Sequence, residues 1–193
     1  MVDRGQITGL ILAGGQGSRL GGVDKGLQVF AGQPLALHAL QRLSPQVDRV
    51  MISANRHLDV YAQMRVPVWP DPVDLSGYEG PLAGFLAGLQ HCETAYMVTV
   101  PCDCPHFPTD LVQRLSKALT ENQADLAVAR TPLGLEPAFC LIKCELQASL
   151  LSYMQSGQRK IERWTEQHRR AEVAFDDDSA FFNINTPDDL ARA

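Results

Sequence analysis

The feature that most constrains this fold is a short apolar run, residues 7–13, that opens directly into Leu12-Ala13-Gly14-Gly15-Gln16-Gly17-Ser18-Arg19-Leu20-Gly21-Gly22-Val23-Asp24-Lys25. The run is rich in Ile and Leu and too short for a buried helix, so it reads as an interior strand. Five glycines among the fourteen residues from Leu12 to Lys25, with Arg19 and Lys25 beside them, let backbone N–H groups crowd against an anion with two cations at hand. Ligands of open α/β sheets gather beyond the carboxyl ends of the strands, which is where such a loop falls. The pattern predicts a nucleotide phosphate cradle; the plainer alternative is a glycine-rich turn with two solvated cations. Neither of two common phosphate motifs fits. The dinucleotide fingerprint starts at Gly15 and Gly17 but meets Leu20 at its third position, and Lys25 lies between Asp24 and Gly26 rather than in Gly-Lys-Ser/Thr.

Downstream, strand-like and helix-like segments alternate. The spacing predicts a helix headed by Pro34 to about Ser44, a strand over 47–53, a short helix over 57–63 and a strand over 66–69. A helix starting at Pro81, a residue tolerated in the first turn, runs to about Cys92. A strand over 96–100, a helix over 109–120 and a strand over 124–130 follow. This βαβ alternation implies an α/β fold: one domain over 1–193, a doubly wound, mostly parallel sheet with helices on both faces. The second half adds a strand over 138–143, a helix over 145–156 stopped by Gly157, and helical residues 161–168. Strands over 172–175 and 181–184 precede a helix opened at Thr186-Pro187. The N-terminal half is expected to carry the nucleotide and the C-terminal half the acceptor.

A chain of 193 residues buries roughly 70% of its unfolded surface, enough for one sizeable core. Its net charge of −5 is unsuited to general nucleic-acid binding, which neutralises many phosphates at once, so Arg19 and Lys25 are expected to act locally on a small polyanion. Five cysteines, an odd number with no paired C-x-x-C spacing, argue against a disulfide framework or a zinc site. The start does not read as a signal peptide and no long apolar stretch suggests a membrane span, so a cytoplasmic location with reduced thiols is expected.

Three constellations bear on chemistry. Val98-Thr99-Val100-Pro101-Cys102-Asp103 is an apolar strand running into an acid. A carboxylate there can hold Mg²⁺, which takes one or two carboxylates plus substrate phosphate oxygens; the alternative is a turn Asp near Pro105. Asp71, after Trp69-Pro70, could accept from a guanine's N1–H and exocyclic amine. Gly80 and Gly84 flank a helix start whose N–H groups a ligand could approach, although Gly84 also suits plain helix packing. Finally, Thr186-Pro187-Asp188-Asp189 is a helix start, which leaves Asn183 and Asn185 unexplained. On a strand these two asparagines would point to one face and offer two amides to one ligand. Arg159-Lys160 adds positive charge in that half.

Taken together, Leu12-Ala13-Gly14-Gly15, Arg19, Gly22-Val23-Asp24-Lys25-Gly26, Ala54-Asn55-Arg56-His57, Gly80-Pro81-Leu82-Ala83-Gly84, Pro101-Cys102-Asp103 and Asn183-Ile184-Asn185-Thr186-Pro187 resemble the molybdenum cofactor guanylyltransferase family over essentially the whole chain. The resemblance implies transfer of GMP from GTP to the terminal phosphate of molybdopterin, with Mg²⁺ as cofactor and pyrophosphate as by-product. It assigns Leu12, Ala13, Gly14, Gly15, Lys25, Ser53, Asn55, Asp71 and Asp103 to GTP, with Asp103 also on the metal. Arg19, Gly22, Gly80, Gly84, Arg159, Asn183 and Asn185 fall on the pterin side, and Arg19, Lys25 and Asp103 carry the catalysis. One departure stands out: a family asparagine that contacts nucleotide falls on Ser53. Transient contacts with cofactor-assembly proteins and molybdoenzyme apoproteins are implied in the same way. The alternatives are another nucleotidyltransferase (a molybdopterin cytidylyltransferase or a sugar-1-phosphate enzyme) and a non-catalytic nucleotide- or cofactor-binding protein.

Overall fold

The computed structural model describes residues 1–14, 24–72, 80–185 and 189. In chain order its elements are β1 (Ile7–Leu12), β2 (Val29–Phe30), β3 (Gln33–Pro34), α1 (Leu35–Leu43), β4 (Arg49–Ser53), α2 (Leu58–Ala62), β5 (Val68–Trp69), α3 (Pro81–His91), β6 (Tyr96–Pro101), α4 (Leu111–Glu121), β7 (Leu126–Thr131), β8 (Gly134–Lys143), α5 (Gln147–Gln155), α6 (Ile161–Thr165) and β9 (Arg170–Ala174). Seven strands form one sheet in the order β5-β4-β1-β6-β8-β7-β9. β1 pairs in parallel with both β4 and β6, β4 with β5, and β7 with β9. Only β8 is reversed, antiparallel to β6 and to β7.

Helices cover both faces because the strand side chains alternate between two apolar layers. Ile7 and Ile11 of β1 pack with Ala36, Ala39 and Leu43 of α1 and with Leu111 and Leu115 of α4. On the other face Leu10 packs with Leu82, Phe85 and Leu86 of α3, Leu150 and Tyr153 of α5 and Trp164 of α6. Each fully buried Leu or Phe contributes about 1.5–3 kcal/mol of transfer free energy, so the sandwich of helices around the sheet is the main source of stability.

The strand order creates the site. From β1 the chain winds outward through β4 to β5, then crosses back to β6 on the other side of β1. Beyond the carboxyl ends of β1 and β6 this reversal opens a crevice, the usual place for a ligand in such sheets. The end is stitched tightly: the Ala13 amide donates to the Ser53 carbonyl (2.8 Å) and the Cys102 amide to the Leu12 carbonyl (3.1 Å).

Several sequence expectations are corrected. The segment over 181–184 is not a strand: Asp178–Phe181 forms a 3-10 turn whose Asp177 side chain accepts from the Ser179 amide. Residues 182–185 join no ladder, and the Ile184 amide donates instead to the Asp103 carbonyl at 2.8 Å. β8 begins at Gly134, not Ala138, because a tight turn folds it back on β7 with Thr131 opposite Gly134. The helix expected over 161–168 ends at Thr165, and β9 starts at Arg170 rather than Glu172. The helix start at Thr186-Pro187 lies outside the described residues.

Candidate active site at the sheet's switch point

Lys25, Asp103 and Asn185 come from the beginning, middle and end of the chain and meet in the crevice. Lys25 Nζ donates to Asp103 Oδ2 (3.2 Å) and to Asn185 Oδ1 (2.5 Å). Asp103 sits two residues past the end of β6 with only 14% of its side chain exposed, and Lys25 is 29% exposed. Part of the ion pair therefore remains open to a ligand.

What aims Lys25 is its neighbour Asp24, a buried carboxylate. It accepts from the Tyr61 hydroxyl (2.6 Å), the Gly26 amide (3.2 Å) and His57 Nδ1 (3.1 Å). Burial, and then the bond to Asp24, push the Tyr61 phenol far above its ordinary pKa, so it stays a donor. Gly26 is required by proximity: a Cβ there would lie 2.2 Å from Tyr61 Oη. Sequence reading marked Gly22-Val23-Asp24-Lys25-Gly26 as distinctive but did not single out Asp24 or Tyr61. No local sequence signal ties Asp24 to Tyr61, which lies 37 positions further on.

On the β4 side a second group surrounds Gly14. Asn55 Nδ2 donates to Asp71 Oδ2 (2.7 Å) and to the Gly14 carbonyl (3.3 Å), while the Asp71 amide donates to Asn55 Oδ1 (2.8 Å). A point one Cβ bond from Gly14 lies 3.1 Å from Asn55 Nδ2 and 3.7 Å from both Asp71 Oδ1 and Ser53 Oγ. Asp71 Oδ1 and Ser53 Oγ are buried yet make no hydrogen bond with the described residues. Burial raises the Asp71 pKa above its ordinary value, tempered by the Asn55 amide and the nearby Ser53 hydroxyl. Buried polar atoms cost free energy when left without partners, and Asp71 Oδ1 and Ser53 Oγ hold hydrogen-bonding capacity that the described residues do not use.

The remaining expected residues are distributed as follows. Gly80 caps α3 with φ of 135°, a conformation that favours glycine, and no side chain caps the helix there. Gly84 faces the sheet, its absent side chain replaced by Ser53 Oγ and Leu12 Cδ2 at 2.9 and 3.1 Å from a Cβ position, so it lets α3 lie close to β1 and β4. Asn183 Oδ1 is 2.9 Å from Cys104 Sγ, and both Asn183 and Asn185 are exposed. Arg159 is exposed between α5 and α6. Gly157 takes the left-handed conformation expected at the end of α5, with φ of 84°. Gly15, Arg19 and Gly22 lie outside the described residues. Among those described, no three His, Cys, Asp or Glu side chains cluster as a metal site.

A cation, a carboxylate and an amide gathered at the switch point of a doubly wound sheet define an α/β protein that handles phosphorylated ligands. Residues 9–173 match the family described as the MobA-like NTP transferase domain. The chain belongs to that family and is a nucleotidyltransferase. It is 56% identical over 196 residues to a molybdenum cofactor guanylyltransferase of Bordetella petrii, covering 100% of this chain and 99% of the other. A protein of the same name from Acidovorax ebreus is also 56% identical, over 96% of this chain and 94% of its own length. Among solved structures the fold is similar to molybdopterin-guanine dinucleotide biosynthesis protein A from Archaeoglobus fulgidus, with a TM-score of 0.79 and 24% identity over 96% of this chain and 95% of the other.

Proposed function

We propose that this chain transfers GMP from GTP to the terminal phosphate of molybdopterin, releasing pyrophosphate. The reading is carried by full-length similarity to curated relatives of that activity. Two polar clusters flanking the end of β1 supply places for the two substrates. On the β4 side, Asp71 Oδ1, buried without a hydrogen bond to the described residues, suits the paired N1–H and exocyclic amine donors of guanine, which cytosine does not offer as a pair. Ser53 takes the place of the family asparagine there, and its hydroxyl adds a donor or acceptor for base or ribose. On the β6 side, Lys25 faces the phosphates, and Asn183 and Asn185 line the approach of the pterin; Gly80 and Arg159 are proposed as further pterin contacts, and Gly84, packed against Ser53 and Leu12, acts there by letting α3 lie close to the sheet. Leu12, Ala13 and Gly14 hold the nucleotide from the end of β1, and Gly15, Arg19 and Gly22 are proposed contacts outside the described residues.

The transfer needs no general base. The acceptor phosphate is anionic near neutral pH; its oxygen bonds to the α-phosphorus while the bridge to the β-phosphate breaks and pyrophosphate leaves. The residues align the two substrates and offset charge growing on the α-phosphate and leaving group. Asp103, a partly exposed carboxylate in the crevice with one oxygen on Lys25, fits Mg²⁺ completed by waters and substrate phosphates. When bound, Mg²⁺ would add positive charge against those phosphates. Among the described residues no helix is long and apolar enough to cross a membrane; a cytoplasmic location and passing contacts with cofactor-assembly proteins and molybdoenzyme apoproteins complete the proposal.

The first test is thermal unfolding with Mg²⁺ and GTP, CTP, ATP or UTP in parallel. A ligand at about 100 times its Kd stabilises by roughly 2.7 kcal/mol, a shift of several degrees. GTP alone should give the shift, and pyrophosphate release should then require molybdopterin. A shift with CTP instead would point to cytidylyl transfer, and nucleotide binding without pyrophosphate release would overturn catalysis.

A further inference from the structure

Asp103 is approached by the segment over 181–185 through a set of contacts that fix that segment beside it. The Ile184 amide bonds the Asp103 carbonyl, Asn185 takes a hydrogen bond from Lys25, and Cys104 reaches Asn183 Oδ1 at 2.9 Å and the Phe181 carbonyl at 3.5 Å. Cys104 itself is fully buried and no step of the proposed reaction uses it. We infer that Cys104 is a positioning residue whose thiol donates to Asn183 Oδ1 and thereby turns the Asn183 amino group outward, toward the acceptor substrate.

The orientation follows from which group carries the proton. Cys104 is a free, buried thiol, and a thiol holds a single S–H donor. The nearer oxygen, that of Asn183, receives it. Were the amide reversed, an N–H would have to meet sulfur, a weak acceptor, and the thiol would lose the nearer of its two oxygens. The amide oxygen therefore faces the core, and the two Nδ2 hydrogens face away. That is the polarity an acceptor needs when it presents phosphate and carbonyl oxygens, whereas an amide free to flip would set its own lone pairs against them.

This inference rests on the proposed placement of Asn183 on the acceptor side, and the experiment separates the two. Steady-state kinetics with GTP, Mg²⁺ and molybdopterin would compare Cys104→Ala, Cys104→Ser, Asn183→Ala and the double Ala variant. Loss of one neutral hydrogen bond should raise the acceptor KM of Cys104→Ala about 3- to 10-fold with the GTP KM unchanged. Cys104→Ser, which keeps a donor, should recover most of that. The double variant should behave like Asn183→Ala alone, because the thiol acts only through that side chain. Additive losses in the double variant would mean general packing and overturn the role. If Asn183→Ala raises the acceptor KM and Cys104→Ala does not, the positioning role fails alone; if Asn183→Ala changes nothing, the placement of Asn183 fails and the inference with it. Should Cys104→Ala not fold, Cys104→Val against Cys104→Ser makes the same comparison of filled space with and without a donor.

Discussion

Asp125 and Asp71 are carboxylates at opposite ends of the same sheet, and they are treated in opposite ways. Asp125, just before β7, receives the Arg169 amide (3.2 Å), Nε (3.0 Å) and Nη2 (2.6 Å) together with Lys143 Nζ (3.1 Å). Those partners, Arg169 foremost, hold its pKa well below the usual carboxylate range. Asp71, just past β5, has Asn55 on one oxygen and nothing among the described residues on the other, and burial holds its pKa up. The amino-terminal end of the sheet saturates its charge and so serves structure. The carboxyl end leaves hydrogen-bonding capacity that the described residues do not use, and the proposed nucleotide contact draws on it.

The largest expected effect is at Asp103. Asp103→Ala should lower turnover about 10²–10³-fold, the scale of losing one charge-stabilising group, while leaving Tm nearly unchanged; Asp125→Ala should leave turnover intact. Activity assays and thermal melts of both variants decide it, and a matching loss of activity in Asp125→Ala would break the contrast. Next, Gly26→Ala should destabilise by about 1–3 kcal/mol, read from denaturant unfolding, because its Cβ meets Tyr61 Oη. Adding Tyr61→Phe removes that oxygen and should restore part of the loss.

A smaller effect concerns pH. Because the folded pKa of Asp71 is raised, its ionisation opposes folding, with the penalty full above the folded value and absent below the unfolded one. Asp71→Asn should therefore stabilise the ligand-free chain at neutral pH yet weaken GTP binding. Wild-type affinity should fall as pH drops through the raised value, and titrations of the variant should lack that inflection. The smallest effect is Asp125→Asn, a Tm decrease of no more than about 3 °C. The sign is reversed there: the contribution of Asp125 is present above the ordinary carboxylate pKa and is lost as pH falls toward the depressed one. The Tm difference between wild type and variant should shrink on acidification.

Much of the fold was legible because its signals are local. The apolar run into glycines gave β1, Pro81 marked the start of α3, and Gly157 marked the end of α5. What escaped depends on pairing. β8 carries Glu136 and Pro137, poor strand residues, and its pairing with β7 shifts register between Val128 and Ala129. The β2–β3 hairpin turns through Ala31 and Gly32 at φ of 46° and 83°, and alanine gives no hint of such a turn. Within the site, Asp103, Lys25 and Asn185 belong to separate sequence signals and the fold brings them into contact. The partnership of Asp24 with Tyr61 spans 37 positions, and no spacing rule reaches that far. Likewise the thiol of Cys104 is ordinary as sequence and becomes a donor to Asn183 only once 181–185 lies beside β6.

The contact between Lys25 and Asn185 joins positions 160 apart, and it also has a consequence in time. During synthesis β1 and its glycine loop leave the ribosome long before residue 185 exists, and domains fold as their chain emerges. A nascent chain can thus complete most of the sheet and shape the Gly14 cluster while, of its two described partners, Lys25 has Asp103 but not Asn185. The Lys25–Asn185 contact is made with a residue translated after every strand of the sheet, so arrested chains of increasing length should acquire their full architecture at the crevice abruptly, after most of their secondary structure is already in place.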